Sequence, residues 1–238
     1  MTVSLAAVVF DWGGTLTEPL EPLIGREEVW RNAARNILPD REGEFVEELI
    51  AAEERLWKIS RTEHRSSSLA DLFAHAAQAL EVEIEETVIE EATRSQLDLY
   101  LPHIAHDPDA TKVVSALRDS GLRIGLLSNT LWPGSFHDEL LERDGLAELI
   151  DVRLYTSELH HTKPHPKVFE EVLRLLEVED PSEAVFVGDR PWDDIYGAKR
   201  AGLKTVLRPS PTVPDYDVEP DAVITDLPSL LEVVGRWR

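Results

Sequence analysis

Hydrophobic positions follow three different rhythms along this chain. Residues 3–10 are nearly all apolar and β-branched at several places, and the run stops at Asp11, just before Gly13 and Gly14. That pattern predicts a strand buried on both faces. Residues 12–25 carry glycines, prolines and threonines and read as turn and loop. The period then becomes helical. Val29, Ala33 and Ile37 share one face, and Phe45, Leu49 and Ala52 or Leu56 a second. A third is formed by Leu69, Leu72, Phe73, Ala76 and Leu80, and Ile84, Val88, Ile89 and Ala92 continue the spacing to Leu97. Pro39 and the polar residues 62–68 interrupt the run, so about four helices are expected.

Beyond residue 105 strands and helices alternate. Asp109 is placed to cap a helix that runs through Leu117 to Gly121. Short strands are expected at 123–127, 152–155, 184–187, 205–207 and 222–224, and helices at 136–143, 166–176, 195–201 and 227–234. Such alternation predicts an α/β fold with a doubly wound parallel sheet and helices on both faces. The helical block separates the first strand from the rest, so it is an insert. The expected division is a core of residues 1–16 and 105–238 and an all-helical cap of residues 17–104.

The composition is that of a globular chain, with 238 residues of which 42% are hydrophobic. A net charge of −22 opposes phosphate backbones and anionic lipid, so nucleic-acid and membrane partners are not expected. An anionic small molecule would need a local lysine, arginine or metal. The absence of cysteine excludes disulfides, thiolate chemistry and Cys-ligated metals. The first residues lack a basic segment and carry only a short apolar run, so they read as a strand rather than a signal peptide and the expected location is cytoplasmic.

Chemistry gathers where four elements end. In an open parallel sheet, ligands bind outside the carboxyl ends of the strands. The first strand ends in Asp11 and the second in Ser128 and Asn129. Lys163 follows the third, within "HTKPHPKVF", and "VFVGDRPWDD" closes the fourth with Asp189, Asp193 and Asp194. Neighbouring carboxylates call for a cation between them, and oxygen donors of this kind suit Mg²⁺. A lysine holds a phosphoryl-type anion, and an aspartate so placed can act as a nucleophile. Other clusters read as scaffold. His160, His161 and His165 lack a fourth ligand at zinc spacing, and the paired glutamates Glu47-Glu48 and Glu85-Glu86 read as solvated helix faces.

Together these stretches resemble the haloacid dehalogenase-like hydrolase superfamily over almost the whole chain. Its D-x-D-G-T motif is matched by residues 11–15 except at Gly13. Its strand ending in Ser or Thr is matched at Ser128, its lysine in K-P-x-P at residues 163–166, and its G-D-x(3,4)-D motif by "GDRPWDD". The resemblance implies that Asp11 is nucleophile and metal ligand, and that the Gly13 carbonyl and Asp189 complete the Mg²⁺ site. It implies that Thr15 and Ser128 position the transferring group, with Asn129 near it. Lys163 then neutralises charge at the nucleophile, on a small phosphorylated substrate. The second acid of the last motif is Asp194, with Asp193 as the alternative.

Gly13 stands where the family's phosphatases carry their general acid and base. Glu18 or His64 are candidates to replace it. In the family's phosphonoacetaldehyde hydrolases the motif reads D-W-A-G-T, and a cap lysine forms a Schiff base. Lys58 is the one lysine between Glu18 and Lys112, although it also reads as a solvated helical residue. The family's haloacid dehalogenases lack the same aspartate, but they also lack the one that Asp189 supplies. A binding protein without turnover is the alternative of another class.

Overall fold

The computed structural model of the chain describes residues 4–17 and 26–238. Strands β1 (Ala7–Phe10), β2 (Arg123–Ser128), β3 (Val152–Tyr155), β4 (Ala184–Gly188), β5 (Lys204–Leu207) and β6 (Ala222–Val223) form one sheet in the order β3-β2-β1-β4-β5-β6. Every neighbouring pair is parallel. Helices α1 (Arg26–Ile37), α2 (Glu42–Glu63), α3 (Leu69–Ala79) and α4 (Glu86–Tyr100) follow β1, and α5 (Ala110–Asp119), α6 (Gly134–Arg143), α7 (Pro166–Leu175), α8 (Gly197–Arg200) and α9 (Ser229–Arg236) flank the sheet. This is the α/β doubly wound arrangement that the alternation predicts.

Strand periodicity divides the core into two layers. Val8, Phe10, Ile124, Leu126, Val185 and Val187 pack with α5, α6 and α9 on one face. Ala7, Val9, Leu127 and Phe186 pack with α7 and α8 on the other. The helical insert holds a separate apolar cluster, which includes Phe45, Leu49, Leu72 and Phe73. Tyr100 and Trp132, with rings 4.9 Å apart, pack against both that cluster and the core. No helix among the described residues is long and apolar enough to cross a membrane.

Several boundaries differ from the pattern. β1 begins at Ala7 because its parallel partners begin there too, Arg123 on one side and Ala184 on the other. Asp109 occupies the N-cap position of α5 without a side-chain cap; instead its own N–H donates to Asp107 Oδ1 at 2.9 Å. The segment expected as one helix from 195 is a π-helical turn, Pro191–Tyr196, followed by α8. α9 starts two residues late, where Asp226 Oδ1 accepts from Ser229 N and Oγ.

One histidine of the core carries a pH signature. His137 of α6 is fully buried, stacked on Tyr155 at 4.7 Å and edge-on to Trp12 at 4.5 Å. Burial pushes its imidazole down to about 3. The unfolded chain binds that proton near pH 6.5. The stability tied to neutral His137 is therefore complete above pH 6.5 and drains away as pH falls toward 3. Relative to His137→Gln, the wild type should lose roughly 1 kcal/mol per pH unit between pH 6 and 4. Urea unfolding of both proteins checks this. The variant keeps every acidic group, so the difference isolates the histidine.

Candidate active site

The sheet order reverses between β1 and β4, so a crevice opens at their carboxyl ends. β1 delivers Asp11 there, with its N–H donating to Val187 O at 2.8 Å. The turn that follows folds back tightly, because Leu16 N and Thr17 N both donate to Trp12 O. Gly14 has φ +78°, and a Cβ on it would lie 2.5 Å from Asp189 Oδ2. Only glycine allows that turn and that carboxylate to share the space. Gly188 leaves room for Asp194, whose carboxyl sits 2.3–2.4 Å from where a Cβ on the glycine would be.

Four charged groups meet in the crevice. Lys163 is completely buried, and its Nζ donates to Asp11 Oδ1 at 2.5 Å and to Asp194 Oδ1 at 2.7 Å. Asp194 Oδ2 accepts from Arg190 N at 2.9 Å. Carboxylate oxygens of Asp11, Asp189 and Asp194 all lie within 4.8 Å of one another. Three carboxylates facing one ammonium leave excess negative charge. Burial, with Asp194 adding and Lys163 opposing, raises Asp11 to about 6. Burial, then the charges of Asp11 and Asp194, raises Asp189 to about 8. Burial alone would lower the Lys163 ammonium, but the two aspartates outweigh it and hold the pKa above the ordinary lysine value.

The site fits a divalent cation. Asp189 Oδ1 is buried with no hydrogen-bond partner among the described residues. A hard cation would both satisfy it and relieve the mutual repulsion. Thr15 Oγ1 is likewise buried without a partner, while its carbonyl accepts from Arg208 Nη1 at 2.6 Å. Ser128 is buried at the end of β2.

The Asn129 amide is engaged with the lysine loop. Its Nδ2 donates to Lys163 O at 3.0 Å and its Oδ1 accepts from Lys163 N at 2.8 Å. It braces the lysine's peptide. Asp193 is partly exposed, 3.9 Å from Arg190 and outside the carboxylate cluster, whereas Asp194 is inside it. Burial, then the Asp194 charge, raises Asp193 to about 6. Lys58 is exposed on α2 and pairs with no described carboxylate, so the desolvation that a Schiff-base lysine needs is missing. Glu18 lies outside the described residues. His64, in the left-handed region at φ 53°, ends α2 with its Nδ1 buried and unpartnered. His161 and His165 stack at 3.8 Å, and no group of metal-ligating residues among the described residues includes them.

Two arginines that the sequence pattern does not mark, Arg190 and Arg208, also reach the site. Arg190 stands 4.0 Å from Asp189, within the same stretch as the aspartates. Arg208 has no motif around it. The segment after α2 also docks on the lysine loop: Thr162 N donates to His64 O at 3.0 Å, and Arg65 bridges to His161. A cavity of about 690 Å³ opens between α3, α4 and α6, lined in part by Leu97, Leu131 and Phe136. None of the four charged site residues lines it.

The family model of haloacid dehalogenase-like hydrolases matches residues 5–202. The chain belongs to this family. Among its relatives is a glyceraldehyde 3-phosphate phosphatase of Pyrococcus furiosus, 37% identical over 134 residues, which are 54% of this chain and 54% of that protein. The similarity to that relative thus spans about half its length. Another, from Methanopyrus kandleri, is 28% identical over 94% of this chain and 97% of its own. Among solved structures, a HAD phosphatase from Thermococcus onnurineus superposes with a TM-score of 0.66 at 26% identity, covering 97% of this chain and 98% of the other. A 2-haloacid dehalogenase from Pseudomonas syringae pv. Tomato does so with a TM-score of 0.71 at 27% identity, covering 98% and 100%.

Proposed function

We propose that this hydrolase removes phosphate from a small phosphorylated metabolite by way of an aspartyl-phosphate on Asp11, in a Mg²⁺-dependent reaction. The observation that carries the reading is the buried cluster of Asp11, Asp189 and Asp194 around Lys163, at the switch point of the sheet. The names of relatives such as the glyceraldehyde 3-phosphate phosphatases and a phosphoserine phosphatase from Thermus thermophilus point to the same substrate class.

Asp11, Asp189 and the Gly13 carbonyl would hold Mg²⁺, which supplies charge neutralisation for the phosphoryl oxygens. An Asp11 carboxylate oxygen forms a bond to phosphorus as the bond from phosphorus to the leaving oxygen breaks. Lys163 keeps Asp11 ionised and aims it. Thr15 Oγ1, without a partner among the described residues, donates to a phosphoryl oxygen, and Ser128 donates to another. Water then attacks the phosphorus of the acyl-phosphate as the bond from phosphorus to Asp11 breaks, which releases phosphate and restores the carboxylate; the proton that water gives up balances the one the leaving oxygen takes. The helical insert serves as a cap that excludes bulk water during the first step.

Asp189 favours this reading over carbon–halogen substitution, because a third acidic group would only repel a carboxylate substrate unless a cation balanced it. The exposure of Lys58 weighs against carbon–phosphorus cleavage. The test is phosphate release from a panel holding glyceraldehyde 3-phosphate, phosphoserine and pyrophosphate, with and without Mg²⁺. Release that needs Mg²⁺ supports the proposal. A panel without turnover, combined with retained binding of a phosphate mimic, replaces it with a binding protein.

Gly13 yields a sharper prediction. A Cβ on Gly13 would meet no heavy atom within 4 Å, and its φ lies outside the left-handed region. Gly13→Asp therefore fits. A positioned general acid is worth typically about 10²–10⁴-fold when the leaving group needs a proton. The variant should gain about tenfold or more on alkyl phosphates, whose alkoxide is a poor leaving group. On p-nitrophenyl phosphate, which leaves as a stable anion, the gain should be smaller. Equal rates for wild type and variant on the alkyl esters would mean that another residue already supplies the proton.

A further inference from the structure

Trp12, the residue after the nucleophile, is buried, and its indole N–H needs an acceptor. It finds His106 Nε2 at 3.1 Å, on the segment by which the chain returns from the helical insert to the core. With Nε2 accepting, the proton of the neutral ring sits on Nδ1, which donates to Asp144 Oδ2 at 2.7 Å. Asp144 is held in turn by Arg143, through Nε at 2.8 Å and Nη2 at 2.6 Å. The same guanidinium donates to Leu101 O at 3.0 Å and Ile104 O at 2.7 Å. One arginine thus grips the return segment, and one histidine ties that segment to the nucleophile turn.

The backbone repeats the tie. Thr17 bridges to His106, and Asp107 N donates to Leu16 O at 2.8 Å. Arg208 links Thr15 O to Asp107 Oδ2, both at 2.6 Å. Among the described residues, His106 is the side chain of the return segment that hydrogen-bonds Trp12. The pairing accepts one tautomer of a neutral ring, and burial, opposed by Asp144, lowers the His106 pKa in keeping with it.

We propose that His106 is a positioning residue: through Trp12 it fixes the turn that carries Asp11 to the segment on which the helical insert hinges. The role rests on Asp11 being the nucleophile. Imidazole is suited to it because it offers an acceptor on one side and a donor on the other, about 94 residues from Trp12 in sequence. Glutamine is the natural substitute, since its Oε1 can accept from Trp12 while its Nε2 donates to Asp144. Leucine offers neither.

The test compares wild type, His106→Leu, His106→Gln and Trp12→Phe, the last of which removes the indole donor and keeps a smaller aromatic ring against His137. Amide hydrogen exchange at Leu16 and Thr17 reads the turn directly, and exchange in β1 and β2 reads the fold. Expected is at least tenfold faster turn exchange in His106→Leu and Trp12→Phe, with β1 and β2 unchanged and His106→Gln close to wild type. On p-nitrophenyl phosphate, kcat should fall about tenfold in the two loosened variants while KM stays within twofold, and glutamine should restore it. Combining the two variants should add nothing to either alone. Turn exchange that is unchanged in both variants overturns the proposal, as does a loosened turn with full kcat. If His106→Leu fails to fold, Trp12→Phe and His106→Gln decide it by the same two readouts. If the wild type hydrolyses no phosphate ester, the functional reading fails by itself, and the exchange rates still judge the tether.

Discussion

Asp11→Asn is expected to lower phosphate-ester turnover by at least roughly 10⁴-fold while leaving the fold in place. The amide is nearly the same size and still accepts from Lys163 Nζ, but it is a poor nucleophile and a weak cation ligand. Stability should change little, for an electrostatic reason. In the wild type the Asp11 carboxylate is favoured by Lys163 and disfavoured by burial and by Asp194, and the balance places its pKa above that of an ordinary aspartate. Removing the charge forfeits one buried ion pair and relieves one buried repulsion. Lys163 keeps its bond to Asp194 at 2.7 Å. The two effects oppose each other, so the unfolding free energy should stay within about 1 kcal/mol of wild type. Activity and urea denaturation measured on one preparation test both halves. Retained turnover would remove Asp11 from the nucleophile's role, and a variant that unfolds would show the carboxylate to be structural.

The parts of this site that were legible in the sequence are those where local pattern and chemistry coincide. An apolar run that stops at Asp11, and another that stops at Gly188 and Asp189, mark strand ends, and the parallel sheet brings strand ends together. Asp193 and Asp194 illustrate the limit. Both follow Asp189 at plausible spacing, and one step along a helical turn separates facing Lys163 from facing outward. The π-helical winding of Pro191–Tyr196 makes that choice. Asn129 shows a second limit. At a strand end it reads as a ligand, and its bond to the peptide of a residue 34 positions away has no sequence signal. Trp12 and His106 are further apart still, and no local period links them. Gly13 differs again: the missing carboxylate is plain in the sequence, but the open space in front of it is a fact of the fold.

Lys163→Met is expected to be the most damaging single change to stability. The methionine fills nearly the same volume, so the effect is electrostatic. Lys163 is the one fully buried cation among Asp11, Asp189 and Asp194, and Arg190, at 4.0 Å from Asp189 and half exposed, cannot replace its bonds to Asp11 and Asp194. Breaking a buried ion pair by removing one partner costs about 3–5 kcal/mol, because the remaining charges stay buried. The carboxylates answer by binding protons more tightly. In the wild type Asp11 and Asp189 already titrate near 6 and near 8, above their unfolded value of 3.8. Groups with a raised folded pKa favour the folded state as pH falls and weaken it as pH rises through that pKa. The deficit of Lys163→Met against wild type should therefore be largest at pH 8 and shrink toward pH 5. Mg²⁺ should act in the same direction as protons, raising the variant's melting temperature at pH 8 by mass action. Thermal unfolding of both proteins at the two pH values, with and without millimolar Mg²⁺, measures all of this. A variant as stable as wild type at pH 8, indifferent to Mg²⁺, would mean that the three carboxylates are not held together by this lysine, and the electrostatic account of the site would fall with it.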